Sequence, residues 1–341
     1  MKKIRIAING AGRIGRAFFK LARERDEVEI VGINDLGDLD NIAYLLKYDT
    51  VYGQAPFKVE MKEGHLIVDD KEIKFFSEKD PMNLPWKDLD VDVVVESTGA
   101  FTTYEKAKVH LDAGAKRVVV TAPMKDEPIP GIVGGTVLLG INEEKLKTCE
   151  ITSNASCTTN AASPLLAILH EDIGVEKAIL NTVHSYTASQ SLVDGPSKKD
   201  FRSGRAAAQN IIPSSTGAAI AVSKALPEFE NKFDGISMRV PTVVGSLVDV
   251  TFISKKDTSV EEVNDALTKA SKDPRWKGIF EVTSEDIVSS DIRNSRCASI
   301  ADLAFTRVVD GNLVKVLAWY DNEMGYTYTL VDHVIKLGQN I

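Results

Sequence analysis

The hexapeptide Gly10-Ala-Gly12-Arg-Ile-Gly15 limits what this chain can fold into more than any other stretch. Lys3 to Ile8 ahead of it reads as a strand, and an amphipathic pattern behind it runs to about Glu24. Strand, glycine turn and helix in that order open a dinucleotide-binding βαβ unit. Gly10 permits the tight turn, Gly12 lets the backbone approach a pyrophosphate, and Gly15 is expected to let the helix pack closely on the sheet. The helix N-terminus then offers N–H groups and a positive dipole end to phosphates. The next strand, Val28 to Ile33, ends at Asn34-Asp35, placing a carboxylate where an adenosine ribose diol can donate to it. From Asn34 to Asp40 the chain holds three acids and no base, so a 2′-phosphate meets like charge there and NAD is favoured over NADP.

Buried-looking strands at Asp92 to Val95 and Arg117 to Thr121, with a helical stretch 103–114 between them, continue the alternation. Strands separated by helices predict right-handed crossovers and a parallel, doubly wound sheet. After about residue 156 strands more often follow one another. Val175 to His184, 236–253 and 311–319 are strand-like, helices are expected near 157–170, 216–226 and 259–271, and 194–215 reads as a long loop. With 341 residues the chain exceeds one ordinary core. The expected fold is α/β: a Rossmann domain over 1–156 plus 322–341, and an α+β catalytic domain over 157–321 on a largely antiparallel sheet.

Composition excludes several function classes. A net charge of −8 argues against nucleic acid as the main partner, though a small phosphorylated substrate needs only a local arginine cluster. No apolar run is long enough to span a bilayer, and the N-terminus lacks the apolar core of a secretory signal, so a cytoplasmic protein is expected. Three cysteines without close pairing fit a reducing compartment, and five scattered histidines give no metal-ligand spacing. His65 reads as a turn residue; His110, His170 and His333 read as helix residues without a partner pattern.

Cys157 lies in Ser153-Asn-Ala-Ser-Cys-Thr-Thr-Asn160, where a strand pattern gives way to a helix. A thiol in the first helical turn feels the positive dipole end, which favours thiolate. His184 ends a strand just before a polar loop and is the candidate base. From spacing alone a structural cysteine with a satisfied histidine competes equally with a catalytic pair.

Here the sequence resembles the phosphorylating glyceraldehyde-3-phosphate dehydrogenases along its whole length. The resemblance rests on Ser-Asn-Ala-Ser-Cys157-Thr-Thr-Asn, Asn9-Gly-x-Gly-Arg-Ile-Gly-Arg16, Asn34-Asp35, Glu96-Ser-Thr-Gly-x-Phe101 and His184-Ser-Tyr-Thr187. It extends to Asp194-Gly-Pro196, Gln209 to Ala219, Met238-Arg-Val-Pro241 and Trp319 to Tyr326. The resemblance implies a Cys157 hemithioacetal and thioester, with His184 first as ion-pair partner and then as base. It places Gly12, Arg13 and Ile14 at the pyrophosphate, Asp35 at the ribose, Thr98 and Thr121 at the middle of the dinucleotide, and Asn322 at the nicotinamide amide. Thr187 and Arg239 are expected to hold the phosphate of glyceraldehyde 3-phosphate. Ser156, Thr216 and Gly217 are expected to hold inorganic phosphate, with Thr158 and Arg202 in the same phosphate-binding set. The loop with Gly195-Pro196 implies a homotetramer.

Two departures stand out: Ala161 where family members often carry a second cysteine, and Ala188-Ser189 after Thr187. Erythrose-4-phosphate dehydrogenase is the nearest alternative, disfavoured by Ser215-Thr-Gly217 and by Ser-Tyr-Thr after His184. A non-catalytic NAD-binding protein leaves Cys157 and His184 without a task, and a cysteine protease leaves the glycine turn without one.

Overall fold

The computed structural model describes residues 2–197 and 200–341, so Lys198 and Lys199, within the expected loop 194–215, and Met1 lie outside the described residues. The chain divides into two compact units, one of residues 1–138, 142–155 and 330–341, the other of 139–141 and 156–329. The terminal helix Met324–Gly338 changes unit at Leu330, where the sequence reading set the return at residue 322.

In the first unit a nine-stranded sheet is described. Seven parallel strands lie in the order Gly134–Thr136, Ile151–Ser153, Arg117–Val120, Val93–Glu96, Ile4–Asn9, Val28–Asn34 and Lys71–Phe76. Valines and isoleucines of the central strands are buried on both faces, as parallel sheets require. The antiparallel strands His65–Val68 and Val59–Lys62 extend one edge. His65 accordingly begins a strand, where a turn was expected, and its Nδ1 accepts from Phe75 N–H. The stretch 103–114 forms two short helical turns, Tyr104–Ala107 and Val109–Asp112, in place of one helix.

The second unit carries a seven-stranded sheet in the order Ile212–Ser215, Phe233–Val240, Val175–Ser185, Ser246–Ser254, Leu313–Tyr320, Ser299–Val309 and Phe280–Thr283. Four of its pairings are antiparallel and two parallel. Helix Cys157–Asp172 packs in the core of this unit. Ala161 to Leu169 is almost wholly apolar and every residue of it is buried, the mark of a helix covered all round. The stretch 194–215 is less irregular than expected, with a helical turn at Phe201–Gly204 and a strand at Ile212–Ser215. Among the described residues no helix is long and apolar enough to cross a membrane.

Candidate active site

In the first unit the glycine turn joins the strand Ile4–Asn9 to the helix Arg13–Ala22. Gly10 adopts φ +99°, a left-handed conformation open to glycine, and a Cβ there would lie 2.7 Å from the Thr98 amide nitrogen. A Cβ on Gly15 would stand 1.9 Å from the Gly10 carbonyl oxygen. The intimate contact of Gly15 is therefore with the turn itself, a correction to the expected helix–sheet packing. Gly12 differs, because a Cβ there would meet nothing within 4 Å. That open backbone at a helix N-terminus fits the diphosphate of NAD.

Asp35 accepts from Ala11 N–H at 2.6 Å through Oδ2 and from Gly37 N–H at 2.7 Å through Oδ1. Each oxygen keeps a second acceptor site for a ribose hydroxyl. The Arg13 side chain reaches Asp49 at 2.8 Å, and its backbone opens the helix whose N-terminus the expected pyrophosphate would meet. Thr98 is exposed, its N–H and hydroxyl both given to Glu96 Oε1, and Thr121 is half-buried with its N–H on the Glu96 carbonyl.

At the end of the first unit's segment 142–155, buried Ala155 adopts φ +53°. A left-handed non-glycine residue costs about 1–2 kcal/mol, and here it turns the chain from the strand Ile151–Ser153 into the helix. Ser156 caps that helix, its Oγ accepting from Thr159 N–H at 3.1 Å. Cys157 is the first helical residue, and its Sγ lies 3.4 Å from His184 Nε2. The pair that spacing left open is thus assembled.

Its electrostatics differ from the sequence expectation. The residue is half-buried but its sulfur is enclosed, and that burial pushes the thiol up, against the lowering by Arg239 and by hydrogen bonds from Thr158. Burial, with Arg239 second, pushes His184 down to about 3. Burial thus opposes charge on both partners, where the resemblance implies an ion pair.

His184 Nδ1 has two partners of opposite kind. The Ser185 carbonyl, at 2.6 Å, accepts, whereas Arg239 Nη1, at 2.7 Å, donates. A proton on Nδ1 satisfies the carbonyl and leaves the Nε2 lone pair facing Cys157. Arg239 reaches this point because His184 and Arg239 are register partners on adjacent parallel strands. Sequence reading missed Tyr320, whose ring lies edge-on to His184 at 5.9 Å. Its hydroxyl binds Thr158 Oγ1 at 2.9 Å and Thr182 Oγ1 at 2.8 Å. The Thr158 hydroxyl therefore takes part in this buried network next to the thiol.

The other expected anion ligands lie in the second unit. Thr187 follows His184 by three residues, with its hydroxyl 2.9 Å from Ser189. Thr216 accepts from Ala218 N–H, and Gly217, open to solvent, precedes the helix Ala218–Ala225. Arg202 is exposed in the turn Phe201–Gly204, its N–H donating to Asp200 Oδ1 at 3.2 Å. Asn322 is buried, its Oδ1 accepting from Gly245 N–H and Ser246 Oγ–H. Among the described residues no three His, Cys, Asp or Glu are placed to hold a metal.

A doubly wound unit with an open glycine turn and a second unit carrying a thiol–imidazole pair are the parts of an NAD-dependent oxidoreductase. Residues 4–104 match the NAD binding domain of glyceraldehyde 3-phosphate dehydrogenase, and residues 156–322 match its C-terminal domain. The glyceraldehyde-3-phosphate dehydrogenase of Escherichia fergusonii is 46% identical over 336 residues, covering 98% of this chain and 99% of the relative. Glyceraldehyde-3-phosphate dehydrogenase A of Escherichia coli K12 is likewise 46% identical, and the Salmonella typhimurium enzyme 45%, each with the same coverage. The chain belongs to the glyceraldehyde-3-phosphate dehydrogenase family.

Proposed function

We propose that this protein oxidises D-glyceraldehyde 3-phosphate with NAD and inorganic phosphate to 1,3-bisphosphoglycerate, as a step of glycolysis and gluconeogenesis. The contact of Cys157 Sγ with His184 Nε2 at 3.4 Å, at the head of a helix, carries this reading. His184 Nε2 takes the thiol proton as Sγ bonds to the aldehyde carbon, and returns it to the resulting alkoxide to complete the hemithioacetal. The Cys157 backbone N–H, in the first helical turn, suits that oxyanion. His184 then removes the hydroxyl proton as the carbon gives up its hydride and a thioester remains on Sγ. NAD, when bound, supplies the hydride acceptor. A phosphate oxygen attacks the thioester carbonyl, the acyl phosphate leaves, and the thiolate regains its proton from His184.

Arg239 and Thr187 suit the substrate's phosphate, and Ser156, Thr216 and Gly217 the attacking one, with hydroxyls, a backbone N–H and a guanidinium fork as donors. A dianion on Arg239 competes with His184 Nδ1 for the guanidinium and favours the Nδ1–H···O=C Ser185 arrangement that the base requires. A homotetramer in the cytoplasm completes the reading. Phe201, 90% exposed, and Leu192, 82% exposed, support the assembly, since large apolar side chains left in solvent mark contact surfaces.

The test follows NADH formation by the purified protein with glyceraldehyde 3-phosphate and NAD, with and without phosphate. NADP and erythrose 4-phosphate run in parallel, with Cys157→Ser as control. Sustained turnover that requires phosphate, prefers NAD and the triose, and disappears in the variant is the expected result. Turnover unaffected by phosphate, or preserved in Cys157→Ser, contradicts the proposal.

A further inference from the structure

A chain of polar side chains lies buried beneath the glycine turn, none of them part of the chemistry derived above. Glu96 ends the strand Val93–Glu96 and is 1% exposed. Its Oε1 accepts from the Thr98 N–H at 2.8 Å and from the Thr98 hydroxyl. Its Oε2 accepts from Asn9 Nδ2 at 2.6 Å and lies 2.9 Å from His110 Nε2. The His110 tautomer is set from its far side, because Trp86 Nε1–H points at Nδ1 from 3.2 Å. Nδ1 must accept, so Nε2 bears the hydrogen and donates to Glu96. Asn9 Oδ1 in turn accepts from Asn34 Nδ2 at 2.7 Å, and Asn34 binds the Glu78 backbone through both amide atoms.

Glu96 thus receives four donors, three of them from two segments that flank the dinucleotide position and the fourth from His110 on the helical turn Val109–Asp112. Asn9 precedes Gly10, and Thr98 belongs to the loop against which Gly10 is packed so closely that a Cβ would not fit. We propose that Glu96 is a positioning residue for the cofactor: its two oxygens tie Thr98 to Asn9 and His110, fixing the two backbone segments that receive NAD. A buried carboxylate suits the place because every group aimed at it is a donor. An amide there puts one N–H₂ against donors and leaves buried hydrogen-bonding capacity unmet.

That donor pattern yields a reciprocal test. Glu96→Gln turns an N–H₂ toward Asn9 Nδ2–H and His110 Nε2–H. Asn9→Asp alone sets a second carboxylate at 2.6 Å from the first. In the double variant Asn9→Asp/Glu96→Gln the carboxylate moves from position 96 to position 9. Asp there accepts from Gln at 96, from Asn34 Nδ2 and from His110 Nε2–H, which lies 3.5 Å from the present Asn9 nitrogen. The glutamine oxygen still accepts from Thr98.

NAD affinity by calorimetry, KM for NAD, kcat at saturating NAD and thermal midpoint are measured for the wild type, both single variants and the double variant. Glu96→Gln is expected to weaken NAD binding about tenfold while kcat stays within about twofold, and Asn9→Asp to weaken it at least as much. The double variant is expected to return to within about threefold of wild-type affinity. Unchanged NAD affinity in Glu96→Gln, a loss confined to kcat or to thermal midpoint, or a double variant no better than the worse single one overturns the proposal. If a single variant fails to fold, the affinity of the double variant decides the matter by the same threshold.

Discussion

The glycine turn and the thiol site solve the same problem, holding a reactive ligand against backbone N–H groups, by opposite means. The turn is local. Six consecutive residues set it, through a positive φ at Gly10 and missing Cβ atoms at Gly10 and Gly15. The thiol site gathers Cys157 from a helix, His184 and Arg239 from neighbouring strands, and Tyr320 from a third. A local rule therefore predicts the first well. At the second, the helix N-terminus that favours thiolate is opposed by burial, which depends on the whole core.

Substitutions at the thiol pair sharpen this contrast most. Cys157→Ser is expected to lower turnover by more than about four orders of magnitude, and His184→Asn by about two to four, both with NAD affinity unchanged in calorimetry. Loss of NAD binding in either variant would mean that the thiol pair and the glycine turn do not act as separable parts.

Within the turn the glycines divide by what surrounds them. Gly15→Ala forces a methyl onto the Gly10 carbonyl and is expected to destabilise the protein by about 2–3 kcal/mol in urea unfolding. Gly12→Ala meets open space and is expected to leave stability within about 0.5 kcal/mol while weakening NAD binding about tenfold. Equal stability of the two variants would contradict the packing argument.

The smallest effect concerns pH. His184 in the second unit and His333 in the first are both buried and held down to about 3, from an ordinary 6.5. Between these values the unfolded chain binds protons that the native one refuses, so stability falls as pH drops below about 6.5 and levels off below about 3. At pH 5 each histidine accounts for about 2 kcal/mol of that loss. His333→Asn is expected to lose correspondingly less stability than wild type between pH 7.5 and 5, measured by urea unfolding at both. Parallel losses would place the acid sensitivity elsewhere.

Much of this was legible in the sequence, and the reason differs by region. Gly10 to Gly15, Asp35 and the alternation of the first third follow from spacing that any single βαβ unit imposes. Cys157 and His184 were legible as candidates, because a thiol amid hydroxyl residues and a histidine at a strand end are unusual locally. Their meeting was not, since it depends on register across the sheet. The Glu96–His110–Trp86 chain and the inward turn of Thr158 were hidden for the same reason. Their partners lie far away in sequence, and a histidine on a short helical turn gives no sign of what faces it. The strands Val59–Lys62 and His65–Val68 were legible only as the flanks of a turn, because both are short and the first is almost wholly exposed.

The central claim is that Cys157 carries the acyl group. The most direct measurement mixes the protein with glyceraldehyde 3-phosphate and NAD without phosphate, follows NADH on the millisecond scale, and maps the modified peptide by mass spectrometry. A burst of about one NADH per chain is expected, with a phosphoglyceroyl group on Cys157 that added phosphate releases. No burst, or an acyl group on Cys149 or Cys297 in place of Cys157, would contradict the account.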